Sequence, residues 1–382
     1  MNEPIEADGR QVHRIEKLSV HIVDIPATAV HSHGTGDVSR IRSVILKLET
    51  DLGCTGWGEA SPWPVFTGTA EANAAALHIH LRPHLIGQDP RRITRIMGIA
   101  DKVVVGCLEA KAALETALFD IVGKLSGLSV SDLLGGKCRE RIPLSFSVAN
   151  PNFDEDLRDI ERLHADGIRI FKIKTGFASH AFDLKRLEQL RDIYGDGIGL
   201  RIDYNQGLPA FDAIRRLRDL EAFEPDFIEQ PVKRHEWSAL ADITRRIDTP
   251  IMADESVFSV RDAVAAAKIR LADIFALKIM KSGGMRQAMD IASVAGTAGI
   301  EVYGGCMFET GLAHVAGAHL LASVPELRLG CEFYMANYYL TEDILTKPFP
   351  VEDGQVRVPD GPGLGVDVDT EVLSRYRGEL LE

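Results

Sequence analysis

IRIFKIKTG at 168–176, GLRIDYNQG at 199–207, DFIEQPV at 226–232, PIMADES at 250–256 and ADIFALKI at 272–279 are the stretches that decide the fold. Each is a short apolar run that ends in charge. Lys172 and Lys174 close the first, Asp203 the second, Glu229 the third, Asp254 the fourth and Lys278 the fifth. From Lys172 the positions step by 31, 26, 25 and 24 residues. About 25 residues is one strand, one helix and two turns of a parallel β/α repeat. In a barrel of such repeats, residues at strand C-terminal ends converge on one face. Three carboxylates would meet there, with amines on either side. Carboxylates ~4 Å apart repel by roughly 4 kcal/mol per pair even at an effective dielectric of ~20, so a cation must sit among them. An all-oxygen set predicts Mg²⁺ or Mn²⁺ rather than zinc.

Outward from these runs the repeat predicts eight strands: Ile142–Val148, Ile168–Thr175, Gly199–Tyr204, Asp226–Gln230, Pro250–Asp254, Ile274–Ile279, Glu301–Tyr303 and Leu327–Glu332. They are rich in Val, Ile, Leu and Phe without alternation, as strands buried on both faces are. Amphipathic stripes such as Leu157, Ile160 and Leu163 lie between them. Residues 1–138 do not fit the repeat. They carry two alternating runs, Ile15–Val23 and Ser43–Leu48, then helical stretches at Ala70–Leu81 and Leu108–Leu125. The expected organisation is α/β: a TIM barrel over 139–348, a separate α+β region over 1–138, and a C-terminal segment over 349–382 that packs back on it.

Composition narrows the class of function. A 45% hydrophobic content supports a large core, and no apolar run approaches a membrane span. The opening MNEPIEADGR is polar and acidic, unlike a signal peptide. Cys54, Cys107, Cys138, Cys306 and Cys331 are scattered, as reduced thiols of a cytoplasmic protein would be. A formal charge of −13 argues against nucleic acid as a partner. It leaves open an anionic small molecule, because local lysines decide that.

The same residues suggest a chemistry. Removing a proton alpha to a carboxylate puts two negative charges on one small group, and a divalent ion on that carboxylate stabilises them. An amine carries the proton. Lysine titrates near 10.4, too high for a base at neutral pH, unless a second ammonium lowers it. Lys172 and Lys174, at i and i+2 on a strand, point to one side and predict that arrangement. Taken singly, a lysine ending a strand is a solvated loop residue and an aspartate a turn or helix cap. Six charged residues in register are not explained by turns. By alternation Glu255 points away from the cup, Lys281, three residues past Lys278, lies in a loop, and Asn205 either orients a lysine or shapes a turn.

These contexts (FKIKTG, RIDYNQ, FIEQP, MADES and ALKIMKSGG) resemble the enolase superfamily, and within it the muconate lactonizing enzyme subgroup. The resemblance covers nearly the whole chain, implies a modified (β/α)₇β barrel, and makes the α+β region over 1–138 a capping domain above it. It implies Asp203, Glu229 and Asp254 as ligands of Mg²⁺ or Mn²⁺ and Lys174 as the acid/base. Lys172 becomes its electrostatic neighbour, and Lys278 a second acid/base or charge stabiliser. The substrate would be a small-molecule carboxylate and the protein a cytoplasmic homo-oligomer, without nucleic-acid or membrane partners.

Members of the subgroup differ in the eighth strand. Dipeptide epimerases carry Asp-x-Asp there, which holds the substrate ammonium. This chain reads GCEFYMANYYLTEDIL, with Glu332 and then Tyr334. Cycloisomerases have Glu followed two residues later by an apolar aromatic. GWGEASPWPVFTG in the cap looks closer to the epimerases, but strand eight faces the cup directly. The expectation is therefore a cycloisomerase interconverting cis,cis-muconate, or a related diacid, and muconolactone through a metal-stabilised enolate, with Glu332 supporting the site. The alternatives are a dipeptide epimerase or N-acylamino acid racemase, and a noncatalytic metal-containing scaffold.

Elsewhere, GPGLGV near 361 does not open a helix after a strand, so it is no phosphate loop. Gly283–Gly284 and Gly304–Gly305 read as tight turns. His78, His80 and His84 read as a helix surface. His31 and His33 lie where relatives place a mobile loop over the active site, and either contact substrate or are simply exposed.

Overall fold

The computed structural model describes residues 13–34 and 36–378. The MNEPIEADGR stretch lies outside them, as do the outer ends of the expected cap and tail. Three antiparallel strands open the chain: β1 (Ile15–His33), β2 (Gly36–Thr50) and β3 (Thr55–Ala60), in the order β1-β2-β3. The helix Leu108–Ser126 lies across β3. Gly56 and Gly58 make this possible, because a Cβ on either would collide with the carbonyls of Ala117 or Ala113. Trp57 N then donates to Asp120 Oδ2 of that helix at 3.0 Å. Leu18, Val20, Val44, Leu46, Leu114 and Leu118 are among the side chains of this first core. The helix expected over Ala70–Leu81 is α-helical only to Ala75 and continues as a wider π turn over Ala76–Leu81. His78, His80 and His84 are exposed there.

Next come β4 (Arg141–Pro143) and seven parallel strands, β5 (Ser145–Val148), β6 (Ile170–Lys174), β7 (Gly199–Asp203), β8 (Phe227–Glu229), β9 (Ile251–Ala253), β10 (Ile274–Leu277) and β11 (Glu301–Gly304). The seven are hydrogen-bonded in sequence order from β5 to β11, with a helix between each consecutive pair. Two of the eight expected strands differ. Ile142–Val148 divides in two, because β4 leaves the barrel to pair with the strand Gln355–Arg357 of the C-terminal hairpin. Leu327–Glu332 is not a strand. Gly330 takes φ +74, close against the Pro143 carbonyl, and the run contributes only Cys331, which bridges Leu144 on one side and Gly304 on the other. That residue closes the ring, giving a modified TIM barrel of the (β/α)₇β kind beneath a cap.

The chain beyond the barrel touches both parts. Gln355–Arg357 pairs with β4, Gly363 bridges Ser129, and Arg377 bridges Val23 of β1. GPGLGV forms this contact: Leu364 N donates to Asp120 Oδ1 at 2.9 Å. The five cysteines are free thiols. Among the described residues no helix is long and apolar enough to cross a membrane.

Candidate active site

The barrel register brings the charged strand ends together. Lys174 of β6 pairs with Asp203 of β7, and Asp203 with Glu229 of β8. Asp254 directly follows β9, and Lys278 directly follows β10. All but Lys174 are buried, and Lys174 is largely so. Lys172 Nζ sits 2.7 Å from Glu229 Oε2 and 3.6 Å from Asp203 Oδ2, and it also pairs with Glu332. Lys174 Nζ is 2.6 Å from Asp203 Oδ2 and 3.0 Å from Asn205 Oδ1. On the far wall, Lys278 Nζ meets Asp254 Oδ2 at 2.5 Å. Gly305 permits that lysine's path, since a Cβ there would strike its stem.

Two expectations need correction. Lys281 is not in a loop: the short helix Ile279–Ser282 starts directly after Lys278, so three residues on the chain returns to the same side. Lys281 Nζ then donates to the Asp254 carbonyl at 2.6 Å and to Asp254 Oδ1 at 2.8 Å. Glu255 does not point away. β9 ends at Ala253, strand alternation stops there, and Glu255 lines the cleft beside Asp254. Asn205, left between two roles, contacts Lys174. His31 and His33 are not exposed. They end β1, are buried, and line the cleft against Trp63 and Phe308.

The electrostatics follow from burial and pairing. Burial opposes the charge on Lys172, yet Glu229, Glu332 and Asp203 hold its pKa well above the usual lysine value. Lys172 is therefore not the isolated like charge expected beside Lys174, because Asp203 touches both. Burial likewise opposes charge on Lys278, but Asp254 and Glu229 raise its pKa, so it is an ammonium. Asp254 resists burial through Lys278 and Lys281 and stays below the carboxylate range. Burial, then Asp203, drives Glu229 well up, while burial and Asp254 push Glu255 up to about 8. Burial and the nearby Lys174 lower His31, and burial brings His33 to about 4, so both rings are neutral at pH 7.

Asp203, Glu229 and Asp254 form a hard, all-oxygen donor set. Among the described residues, Glu229 Oε1 is buried without a hydrogen-bond partner, which leaves a lone-pair face for a cation. No three His, Cys, Asp or Glu side chains among the described residues stand at chelating separation, and each of these three carboxylates is paired with a lysine. In chemistry the donor set fits a divalent ion, which would take over charge compensation that the lysine ammonium groups now supply to these carboxylates.

Trp63, Phe66, Ser147, Cys306, Met307, Phe308 and Met335 also line the cleft and were not singled out in the sequence. Ser147 sits near the end of β5, and the segment from Cys306 follows β11, so the strand-end rule reaches both. Trp63 and Phe66 come from a cap loop with no periodic signal.

The chain matches the family model "Mandelate racemase / muconate lactonizing enzyme, N-terminal domain" over residues 17–135 and "Enolase C-terminal domain-like" over 155–372. Muconate cycloisomerase 1-1 of Acinetobacter lwoffii is 35% identical over 369 residues, or 95% of this chain and 96% of the relative. The L-Ala-D/L-Glu epimerase of Bacillus subtilis is 32% identical over 357 residues, or 92% and 96%. A crystal structure of a muconate cycloisomerase from Azorhizobium caulinodans is 43% identical, with a TM-score of 0.84 over 96% of this chain and 99% of that one. The muconate lactonizing enzyme from Pseudomonas fluorescens complexed with muconolactone superposes with a TM-score of 0.93 at 33% identity, over 96% and 100%. Matched in both halves and along nearly the full length of its relatives, the chain belongs to the mandelate racemase/muconate lactonizing enzyme family of the enolase superfamily.

Proposed function

We propose that the protein is a cycloisomerase interconverting cis,cis-muconate, or a related diacid, and its muconolactone. The observation that carries this is the wall around the eighth barrel position. Glu332 is already paired with Lys172, and Tyr334 packs on Phe146 with ring centroids 4.7 Å apart. That wall offers a dicarboxylate no unpaired negative charge, and it offers a substrate ammonium no free acid.

In the lactonising direction, one substrate carboxylate oxygen bonds to an alkene carbon. The electron pair of the diene moves to the carbon alpha to the other carboxylate. Lys174, as ammonium, delivers a proton to that carbon, and in reverse its amine removes it. Lys278 on the opposite wall stabilises the developing negative charge. Lys172 neutralises the buried acids, and Glu332 holds both Lys172 and the Cys306 N–H at 3.1 Å. Asp203, Glu229 and Asp254 would hold Mg²⁺ or Mn²⁺, which supplies Lewis-acid stabilisation of charge on the substrate carboxylate. The reading also takes 1–138 as a cap, 139–348 as the barrel and 349–382 as a closing tail, in a cytoplasmic homo-oligomer.

A second reading has its own observation. Lys174 and Lys278 face the cleft from opposite walls, as epimerisation by two bases requires. Assays of muconates, dipeptides and N-succinyl amino acids with Mg²⁺ and with Mn²⁺ decide between the two. Loss of diene absorbance with cis,cis-muconate is expected, and dipeptide epimerisation without it would reverse the assignment.

A further inference from the structure

Arg186 is a buried guanidinium outside the cleft. It lies in the helix His180–Tyr194 and is 1% exposed. Among the described residues its Nε and Nη1 find no hydrogen-bond acceptor. Burying a cation with unmatched donors is unfavourable, so its placement calls for a cause. Three rings surround it instead, with the guanidinium carbon 4.8 Å from the ring centroid of Phe182, 5.1 Å from that of Phe177 and 5.8 Å from that of Phe153.

Its remaining nitrogen makes two contacts. Arg186 Nη2 donates to the Lys174 carbonyl at 2.7 Å and to Asp183 Oδ1 at 2.6 Å. The other oxygen of Asp183 accepts from Gly176 N at 3.2 Å. One ion pair therefore grips the backbone on both sides of Thr175, immediately after the residue whose amine enters the cleft. Thr175 N is fixed from the other direction, donating to the Asp203 carbonyl at 2.9 Å. Gly176 takes φ +81, so the chain turns sharply away once past the clamp.

We infer that the Arg186–Asp183 pair is a positioning device for Lys174, locking the peptide after it so that its Nζ stays aligned with the reacting carbon. The inference rests on the reading of Lys174 as the proton carrier. The three rings hold the guanidinium still without competing for its Nη2 protons, and Asp183 orients it. Reaction rates are sensitive to misplacement of a catalytic group by about 1 Å, whereas binding through other groups is much less so. Loosening the clamp should therefore lower kcat and leave KM nearly unchanged.

The test uses the full-length, metal-loaded enzyme with the variants Arg186→Met, Arg186→Lys and Asp183→Asn. Turnover is read with cis,cis-muconate, or with L-Ala-L-Glu if that proves to be the compound turned over. Solvent deuterium incorporation at the alpha carbon and melting temperature are measured alongside. Arg186→Met should lower kcat and deuterium incorporation together by roughly 10- to 100-fold, with KM within about twofold. Arg186→Lys should recover part of the loss, since an ammonium can still donate to the Lys174 carbonyl. If Arg186→Met does not fold, Arg186→Lys and Asp183→Asn carry the test through the same kcat loss. Folded variants that melt earlier but keep wild-type kcat would overturn the inference and leave a purely structural ion pair. Lys174→Ala separates the two levels. An inactive Lys174→Ala beside fully active Arg186 and Asp183 variants rejects the clamp alone, and an active Lys174→Ala rejects both.

Discussion

Lys174 Nζ lies 2.6 Å from Asp203 Oδ2, so the proposed proton carrier and a proposed metal ligand share one contact across paired strands. On the proposed reading a cation at Asp203 would compete with this ammonium for the carboxylate, so proton transfer and metal occupancy would be linked.

Lys174→Ala should lower turnover by roughly 10³-fold or more, about 4 kcal/mol of transition-state stabilisation. Lys278→Ala should do likewise. Neither substitution removes a ligand, so Mg²⁺ affinity measured by calorimetry should not fall. In Lys174→Ala it should hold or rise, because a competing ammonium is gone. Near-wild-type turnover in Lys174→Ala would remove that residue from the mechanism.

Chelation should abolish turnover, and Mg²⁺ or Mn²⁺ should restore it. Glu229→Gln removes a ligand and leaves Lys172 with one fewer carboxylate. Its metal affinity should drop by at least roughly tenfold, about 1.4 kcal/mol. Full activity after exhaustive dialysis against chelator would refute the metal assignment.

Stability should depend on pH through Glu115, where the cap helix meets the barrel. Burial pushes its pKa up to about 7 despite a hydrogen bond from the Arg286 backbone N–H, against a usual 4.5. The folded state therefore holds the proton more tightly than the unfolded one. Below about pH 4.5 both states are protonated. Between there and pH 7 rising pH destabilises the fold, and above pH 7 the full penalty applies. Glu115→Gln carries no such charge, so its stability advantage over wild type should grow across that window to about 3 kcal/mol. Thermal unfolding at pH 4, 6 and 8 checks this, and a constant difference would contradict it.

What could be read in advance follows from periodicity. The parallel repeat has a near-constant length, and a barrel sends every strand end to one face, so Asp203, Glu229, Asp254 and the lysines were legible as a group. Legibility ends where the strands end. Glu255 lies past Ala253, where strand alternation no longer sets its side, and Lys281, expected in a loop, is returned to the cup by a single helical turn. Leu327–Glu332 has strand-like composition, but Gly330 turns the chain and leaves only the Cys331 bridges. His31 and His33 are buried by Phe308, past the end of β11, and by Trp63 and Tyr339, which are distant in sequence and carry no periodic signal.

On the proposed reading, specificity would turn on Tyr334. Its side chain is 1% exposed and packs on Phe146, so the eighth position presents an aromatic ring to the cleft. A dipeptide ammonium placed there would be buried without a free acid, because Glu332 is taken by Lys172. An uncompensated buried charge costs several kcal/mol, so dipeptide turnover should fall below muconate turnover by roughly a hundredfold or more. Tyr334→Asp supplies the missing acid. The new carboxylate would itself be buried and unpaired without ligand, so the variant should melt earlier. With a dipeptide bound, the ammonium compensates that charge. With muconate bound, a third carboxylate repels the substrate. The ratio of kcat/KM for dipeptide over muconate should therefore rise by at least about tenfold, from both directions at once. An unchanged ratio in a folded Tyr334→Asp enzyme would place the discriminating contact elsewhere in the cleft, and efficient dipeptide epimerisation by the unmodified enzyme would favour the two-base reading.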